Sequence, residues 1–269
     1  MLFKKSKNKK IISLFATFCI FVSLLSSYTE VFASSKNVTI YVVSKLTITE
    51  NWKNPDGTKG NKVVKKYSLD YNKKGLVEVE NGYEKSPAST YKYTNKNIYK
   101  GKYVAKVQKS SVSKQNGKKT TSNGTDFFVR NKKNILTKIT TKGKKGYTKY
   151  KIKCNSKNKI TYVLYRDSKF PSLSHYKNYE YDSSGRISKV DDAEIEYDSH
   201  GYAKAVGTDK FKNTYKSNRL TKRVLKGEYL SSTYKFSYKK INVPVKYKSA
   251  IERQQRYIIE RGYDVPWYY

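Results

Sequence analysis

A short unit recurs along this sequence, and one of its positions is almost always glycine or asparagine. The two clearest copies read Tyr181-Asp182-Ser183-Ser184-Gly185-Arg186-Ile187-Ser188-Lys189-Val190 and Tyr197-Asp198-Ser199-His200-Gly201-Tyr202-Ala203-Lys204-Ala205-Val206. Glycine and asparagine are the residues that tolerate positive φ. An Asp or Asn side chain bonds the backbone two residues on and opens a turn. Two permissive residues follow, and the left-handed residue closes a hairpin loop built on a type I turn.

Copies centred on Asn134 (Arg130 to Ile139) and Asn158 (Cys154 to Val163) align without gaps. Tyr71 to Gly75 and Tyr93 to Asn97 keep the turn chemistry, Tyr215 to Leu220 with Asn218 is one residue shorter, and Tyr238 to Ile241 has lost the turn residue. The flanks are rich in Tyr, Ile, Val and Thr, which suit a half-buried pleated surface. Tyr179 and Tyr181 lie two apart and share a face. Ile187 and Val190 lie three apart, which requires either a bulge or the start of the next bend. The fold expected is all-β, an antiparallel meander of repeated β-hairpins with one C-terminal α-helix; an ordinary β-sandwich with similar turns is the alternative.

The segment from Tyr179 to Val206 resembles the YD (Rhs-type) repeat family, on Tyr181, Asp182, Gly185, Arg186 and Ile187 and on Tyr197, Asp198 and Gly201. The other copies replace Tyr, Asp or Gly. Large members of that family build a β-sheet shell around a toxin, and this chain is too short to enclose a cargo domain. The resemblance implies secreted or surface placement and β architecture, and it carries over no catalytic residue.

Residues 1–33 read as a signal peptide. Lys4, Lys5, Lys7, Lys9 and Lys10 precede an apolar run from Ile11 to about Leu25, and Val31-Phe32-Ala33 suits signal peptidase. An uncleaved anchor is the alternative, against which the run is short for a span. On this reading the membrane is met only transiently, and the product is secreted, extracellular or cell-wall associated. Cys154 is then the one cysteine left, so no internal disulfide is expected. It occupies a tyrosine slot, which points to packing rather than reactivity.

The expected organisation is 34–125 as a β-hairpin region with long loops, 126–248 as YD-like hairpin repeats, and 249–269 as a helix and aromatic tail. Pro55-Asp56-Gly57 marks one loop, and the polar stretch from Lys109 to Gly124 reads as a mobile one. Ser249 and Glu252 have capping-box spacing, Ala250 to Arg261 are good helix formers, and Gly262 suits a C-cap. The helix is expected to dock on the sheet end and shield an edge strand. The tail's Trp267, Tyr268 and Tyr269 are expected to pack back on the core.

The sequence holds 57 Lys and Arg against 21 Asp and Glu, a formal net charge of +36. A bacterial AT-rich composition would by itself raise the lysine content. The chemistry of an enzyme is hard to find: His175 and His200 lack metal-ligand spacing, and no G-x-S-x-G elbow occurs. The run Asp191, Asp192, Glu194, Glu196 and Asp198 suggests ion pairing or, less simply, calcium. No catalytic residue, cofactor or metal site is expected.

Lysines do interleave with tyrosines within the expected strands. Lys149, Lys151 and Lys153 alternate with Tyr150 and Ile152, Lys92, Lys235 and Lys239 sit beside Tyr or Phe, and Lys240 follows in Tyr238-Lys239-Lys240. Rows of lysine attract polyanions, and salt weakens the attraction. The expected function is non-enzymatic binding of anionic polymers: cell-wall teichoic acid, glycosaminoglycan or nucleic acid. The alternatives are a structural component of a larger secreted system and a carrier whose curved sheet holds a ligand.

Overall fold

A computed structural model describes residues 36–143, 146–157, 159–168 and 174–260. The signal segment, Asn158, Gly262 and the aromatic tail lie outside the described residues. The chain runs through β1 (Asn37–Lys53), β2 (Lys59–Tyr71), β3 (Val77–Lys85), β4 (Ser89–Lys100), β5 (Tyr103–Gln115), β6 (Lys118–Arg130), β7 (Leu136–Gly143) and β8 (Gly146–Cys154). It continues through β9 (Ile160–Asp167), β10 (His175–Tyr181), β11 (Ile187–Val190), β12 (Ala193–Tyr197), β13 (Ala203–Val206), β14 (Asp209–Lys216), β15 (Arg219–Lys226) and β16 (Leu230–Pro244). A 3-10 turn, Val245–Tyr247, leads into α1 (Lys248–Ile259).

Each strand pairs antiparallel with its sequence neighbours, and β1 pairs with β16, so the meander is a closed barrel. The all-β class with a single C-terminal helix holds; closure is what local sequence did not announce. The boundary drawn at residue 125 falls inside β6, and the regions on either side share one wall.

The repeat explains the end of the barrel that its turns share. Its unit is two strands, so successive copies turn back at the same end. Asn72, Asn131 and Asn155 each accept two backbone N–H bonds on Oδ1 from residues two and four further on, as does Asp198; Asp182 accepts from Arg186 N–H at 2.8 Å. Positive φ falls on Gly75, Asn134, Gly185, Gly201 and Asn218, at 78°, 60°, 76°, 76° and 59°. A register shift sits beside each turn, as between Glu180 and Tyr181, where Tyr181 faces Ile187 and Glu180 faces Lys189. The spacing of Ile187 and Val190 is therefore a bulge.

The repeat's tyrosine joins one hairpin to the one before. Tyr181 donates its hydroxyl to Ile160 O at 2.7 Å, Tyr197 to Ile187 O at 2.6 Å, Tyr99 to Val77 O at 2.6 Å and Tyr238 to Leu220 O at 2.8 Å. Each acceptor follows the turn of the preceding copy. Cys154, in the same slot, points its thiol at Leu136 O at 3.9 Å.

Two of the weaker copies are not turns. Tyr93 to Asn97 lies within β4 and Tyr238 to Ile241 within β16; the turn after β4 is Gly101, φ 64°. The stretch from Lys109 to Gly124 is not a long loop. It continues β5 and β6 around the two-residue turn Asn116-Gly117, φ 48° and 77°, because both residues accept the left-handed conformation a tight hairpin needs.

Sixteen strands enclose more space than wall side chains fill, and α1 occupies part of it. Ile258 and Ile259 pack with Leu46, Ile48, Tyr234 and Phe236, while Ala250 and Ile251 pack with Val42, Leu76 and Val243. Burying each isoleucine contributes about 1.5–3 kcal/mol. The helix does not cover a sheet edge, since the closed wall leaves none. No side chain caps its start at Tyr247, and Glu252 lies instead 3.7 Å from the Lys248 ammonium.

The helix is held by polar side chains at bulges. Val43 N–H donates to Gln255 Oε1 at 2.6 Å, Val77 N–H to Gln254 Oε1 at 3.1 Å and Ala203 N–H to Glu260 Oε1 at 3.2 Å. Glu260 also pairs with the fully buried Arg223 at 2.8 Å.

Candidate functional site

Register places the lysines. One row runs across neighbouring strands through Lys222, Lys235, Thr47, Lys66, Tyr83 and Lys92. A second runs through Lys106, Phe127, Thr140, Lys149 and Arg166, and a third through Lys138, Lys151, Leu164 and Tyr176. The intervening residues of the same strands, Leu46, Ile139, Ile152 and Phe236, are buried, so these rows belong to the outer face. These rows carry lysine, arginine and threonine with aromatic rings and one leucine among them.

Of the lysines singled out by sequence, Lys92, Lys149, Lys151, Lys153, Lys235 and Lys240 are exposed. Lys239 does not join them. It is half-buried and its ammonium lies 5.0 Å from the centre of the Tyr71 ring, because the strand changes face beside the bulge opposite Val43 and Lys45. Several cations sit over rings: the exposed Lys92 over Tyr83 at 5.7 Å and Lys153 over Tyr162 at 5.2 Å, and the half-buried Lys106 and exposed Lys142 over Phe127 at 5.6 and 5.7 Å. Tyr162 also stacks on Tyr176 at 5.9 Å.

Four carboxylates are buried or half-buried against a partner, whereas others such as Asp70, Glu78, Glu180, Glu194 and Glu196 are exposed. Glu50 pairs with Lys65 at 2.8 Å, Asp126 with Lys109 at 2.5 Å, Glu80 accepts the Tyr93 hydroxyl at 2.5 Å, and Glu260 holds Arg223.

The turn carboxylates Asp182 and Asp198 are structural. Burial would raise both pKa values, but bonds from Arg186, backbone and guanidinium, lower that of Asp182; bonds from the Tyr215 hydroxyl and Asn213 lower that of Asp198. Gly185, Gly201, Asn134 and Asn218 shape the turns with positive φ.

His175 stacks on Tyr165 at 4.5 Å and His200 on Tyr215 at 3.9 Å, at separate places in the wall. In the acidic run, Glu196 pairs with Lys204 at 3.2 Å and Asp191 Oδ1 accepts Asn178 N–H at 2.8 Å. Among the described residues no group of three or more His, Cys, Asp or Glu side chains is placed to hold a metal. Burial pushes the Cys154 thiol up in pKa, against the opposing charge of Arg130.

Two cavities flank the helix. One, of about 320 Å³, lies between Gln254, Tyr257 and Ile258 and the wall at Glu80, Asn97 and Asp126. The other, of about 590 Å³, lies at the turn end between α1 and the loops at Asn134, Lys159 and Gly185. Sequence reasoning missed it because its residues come from Lys102 to Glu260.

No family model and no curated protein matches the chain. Seventeen chains of solved structures match it. One is a porin-like protein from Bacteroides uniformis ATCC 8492, 13% identical, covering 73% of this chain and 96% of that one with a TM-score of 0.35.

Proposed function

We propose that this protein is exported and works outside the cell as a non-enzymatic binder of anionic polymers, with the outer barrel wall as the contact surface. The observation that supports the reading best is the recurrence of lysines in rows that cross hydrogen-bonded strands, interrupted by threonine and aromatic residues. A phosphate-bearing or sulfated chain meets several cations in succession, and exposed tyrosines such as Tyr176 offer faces for sugars or bases. The same wall argues against a lipid-embedded barrel, because a lysine facing the bilayer midplane costs about 2–4 kcal/mol. The lysine-rich, then apolar N-terminal segment supports export.

The test is retention of the protein on teichoic-acid-bearing wall, heparin and DNA at rising salt. Retention at low ionic strength that falls with salt is expected, with Lys66→Glu/Lys92→Glu/Lys235→Glu eluting earlier than the parent. Passage through all three supports at low salt overturns the reading.

A further inference from the structure

The geometry points to the cavity at the turn end as a binding site for a small amphiphilic anion, with one oxyanion headgroup on a short apolar or aromatic body. This site is separate from the outer wall.

Its volume of about 590 Å³ falls in the range of small-molecule pockets. Its floor is apolar, with Leu136 and Ile160 nearly fully buried. Around that floor stand Arg130, Lys133, Lys159, Arg186, Arg253 and Arg256.

Neutral groups take part in orienting several of these cations. Arg130 donates to Asn134 O at 3.0 Å with its guanidinium 4.6 Å from the Tyr103 ring, and Arg256 donates to Gly201 O at 3.2 Å. Lys159 donates to Gly185 O and lies 5.0 Å from the Tyr181 ring. Arg186 lies 4.6 Å from the Tyr197 ring while it pairs with Asp182. The lining's carboxylate, Glu260, is engaged with the buried Arg223.

The described lining carries seven basic side chains, Lys102 with the six above, against one carboxylate, Glu260. The cavity thus keeps a concentrated positive field over an apolar surface, beside guanidinium forks suited to oxyanions. A neutral apolar ligand leaves that field unmatched, and a bare inorganic ion leaves the apolar floor uncovered.

The test is calorimetric titration of the full chain with octyl phosphate, octyl glucoside and inorganic phosphate. Octyl phosphate is expected to bind at one site, octyl glucoside not to bind, and inorganic phosphate to compete only weakly. Arg253→Gln/Arg256→Gln is expected to weaken octyl phosphate by about tenfold or more. Lys102→Gln/Lys133→Gln, on exposed side chains away from the helix, gives a second reading should the helix variant fold poorly. The outer-wall variant Lys66→Glu/Lys92→Glu/Lys235→Glu is expected to bind octyl phosphate as the parent does. Absence of octyl phosphate binding, equal binding of octyl glucoside, or an unchanged affinity in the folded cavity variants overturns the site. Equal loss in the outer-wall variant assigns the binding to general charge and overturns it too.

Discussion

Gln254 and Tyr99 close a three-bond ring with the backbone of one residue. The Gln254 amide donates to the Tyr99 hydroxyl at 2.8 Å, that hydroxyl donates to Val77 O at 2.6 Å, and Val77 N–H returns to Gln254 Oε1 at 3.1 Å. Gln255 repeats the ring one residue on, with Tyr71 and Val43, at 2.9, 2.6 and 2.6 Å. Adjacent side chains of one helix thereby satisfy backbone groups that two bulges release from the ladder.

Gln254→Leu should therefore destabilise by more than its volume suggests. It leaves the Val77 N–H buried without an acceptor, which costs about 1–3 kcal/mol. Urea unfolding should show a lower midpoint for Gln254→Leu and for Gln255→Leu, whereas an exposed helix change such as Glu252→Gln should move it little.

Turn positions with the same φ sign should respond unequally to substitution. A Cβ on Gly75 would lie 2.5 Å from Val243 Cγ1 and 2.7 Å from Ile251 Cδ1, at φ +78°. Gly75→Ala should cost more than the ~1–2 kcal/mol of left-handed strain alone, since the Val243 and Ile251 side chains must give way as well. Asn134→Gly, at φ 60°, should stay within about 0.5 kcal/mol of the parent. Paired thermal melts of the two variants check this.

The buried pair Arg223 and Glu260 should be costly to break from one side. Arg223→Met strands a buried carboxylate and should cost about 3–5 kcal/mol. Glu260→Leu also removes the acceptor for Ala203 N–H. A double-mutant cycle with Arg223→Met/Glu260→Leu should return a favourable coupling, the double variant being less damaged than the two losses added together.

Stability should fall in alkali over a definite window. Burial raises the Tyr99, Tyr150 and Tyr197 hydroxyls to about 12, against about 10 in an unfolded chain. Below pH ~10 both states hold these protons and stability does not depend on them. Between pH ~10 and ~12 only the unfolded state releases them, so stability declines as pH rises and the contribution is lost through the folded values. Chemical denaturation across that range should show the decline, and Tyr99→Phe should shrink it, with some loss of baseline stability from the missing hydrogen bond.

The turns were the legible part. Gly185, Gly201, Asn134 and Asn218 announce their backbone geometry because positive φ is a property of the residue itself. The alternation of Lys149, Lys151 and Lys153 gave the outer face for the same local reason. Tyr93 to Asn97 misled because its composition imitates a turn where Gly82 and Tyr93 instead pack across strands. Lys109 to Gly124 misled because polar residues suit a strand with two wet faces as well as a loop, and only Asn116-Gly117 distinguished them. Closure, the position of α1 inside the wall and the cavity beside it depend on partners far apart in sequence, such as Val43 with Gln255. No window of neighbouring residues contains that information.

The seam between β1 and β16 joins the start of the ring to its finish. Until Leu230–Pro244 has been made and delivered, Asn37–Lys53 has one bare hydrogen-bonding flank and so does whichever strand emerged last. A molecule interrupted before that point carries two sticky borders at once, each able to recruit a stranger. Pairing of β16 with β1 is thus also the step that removes both borders as templates for aggregation.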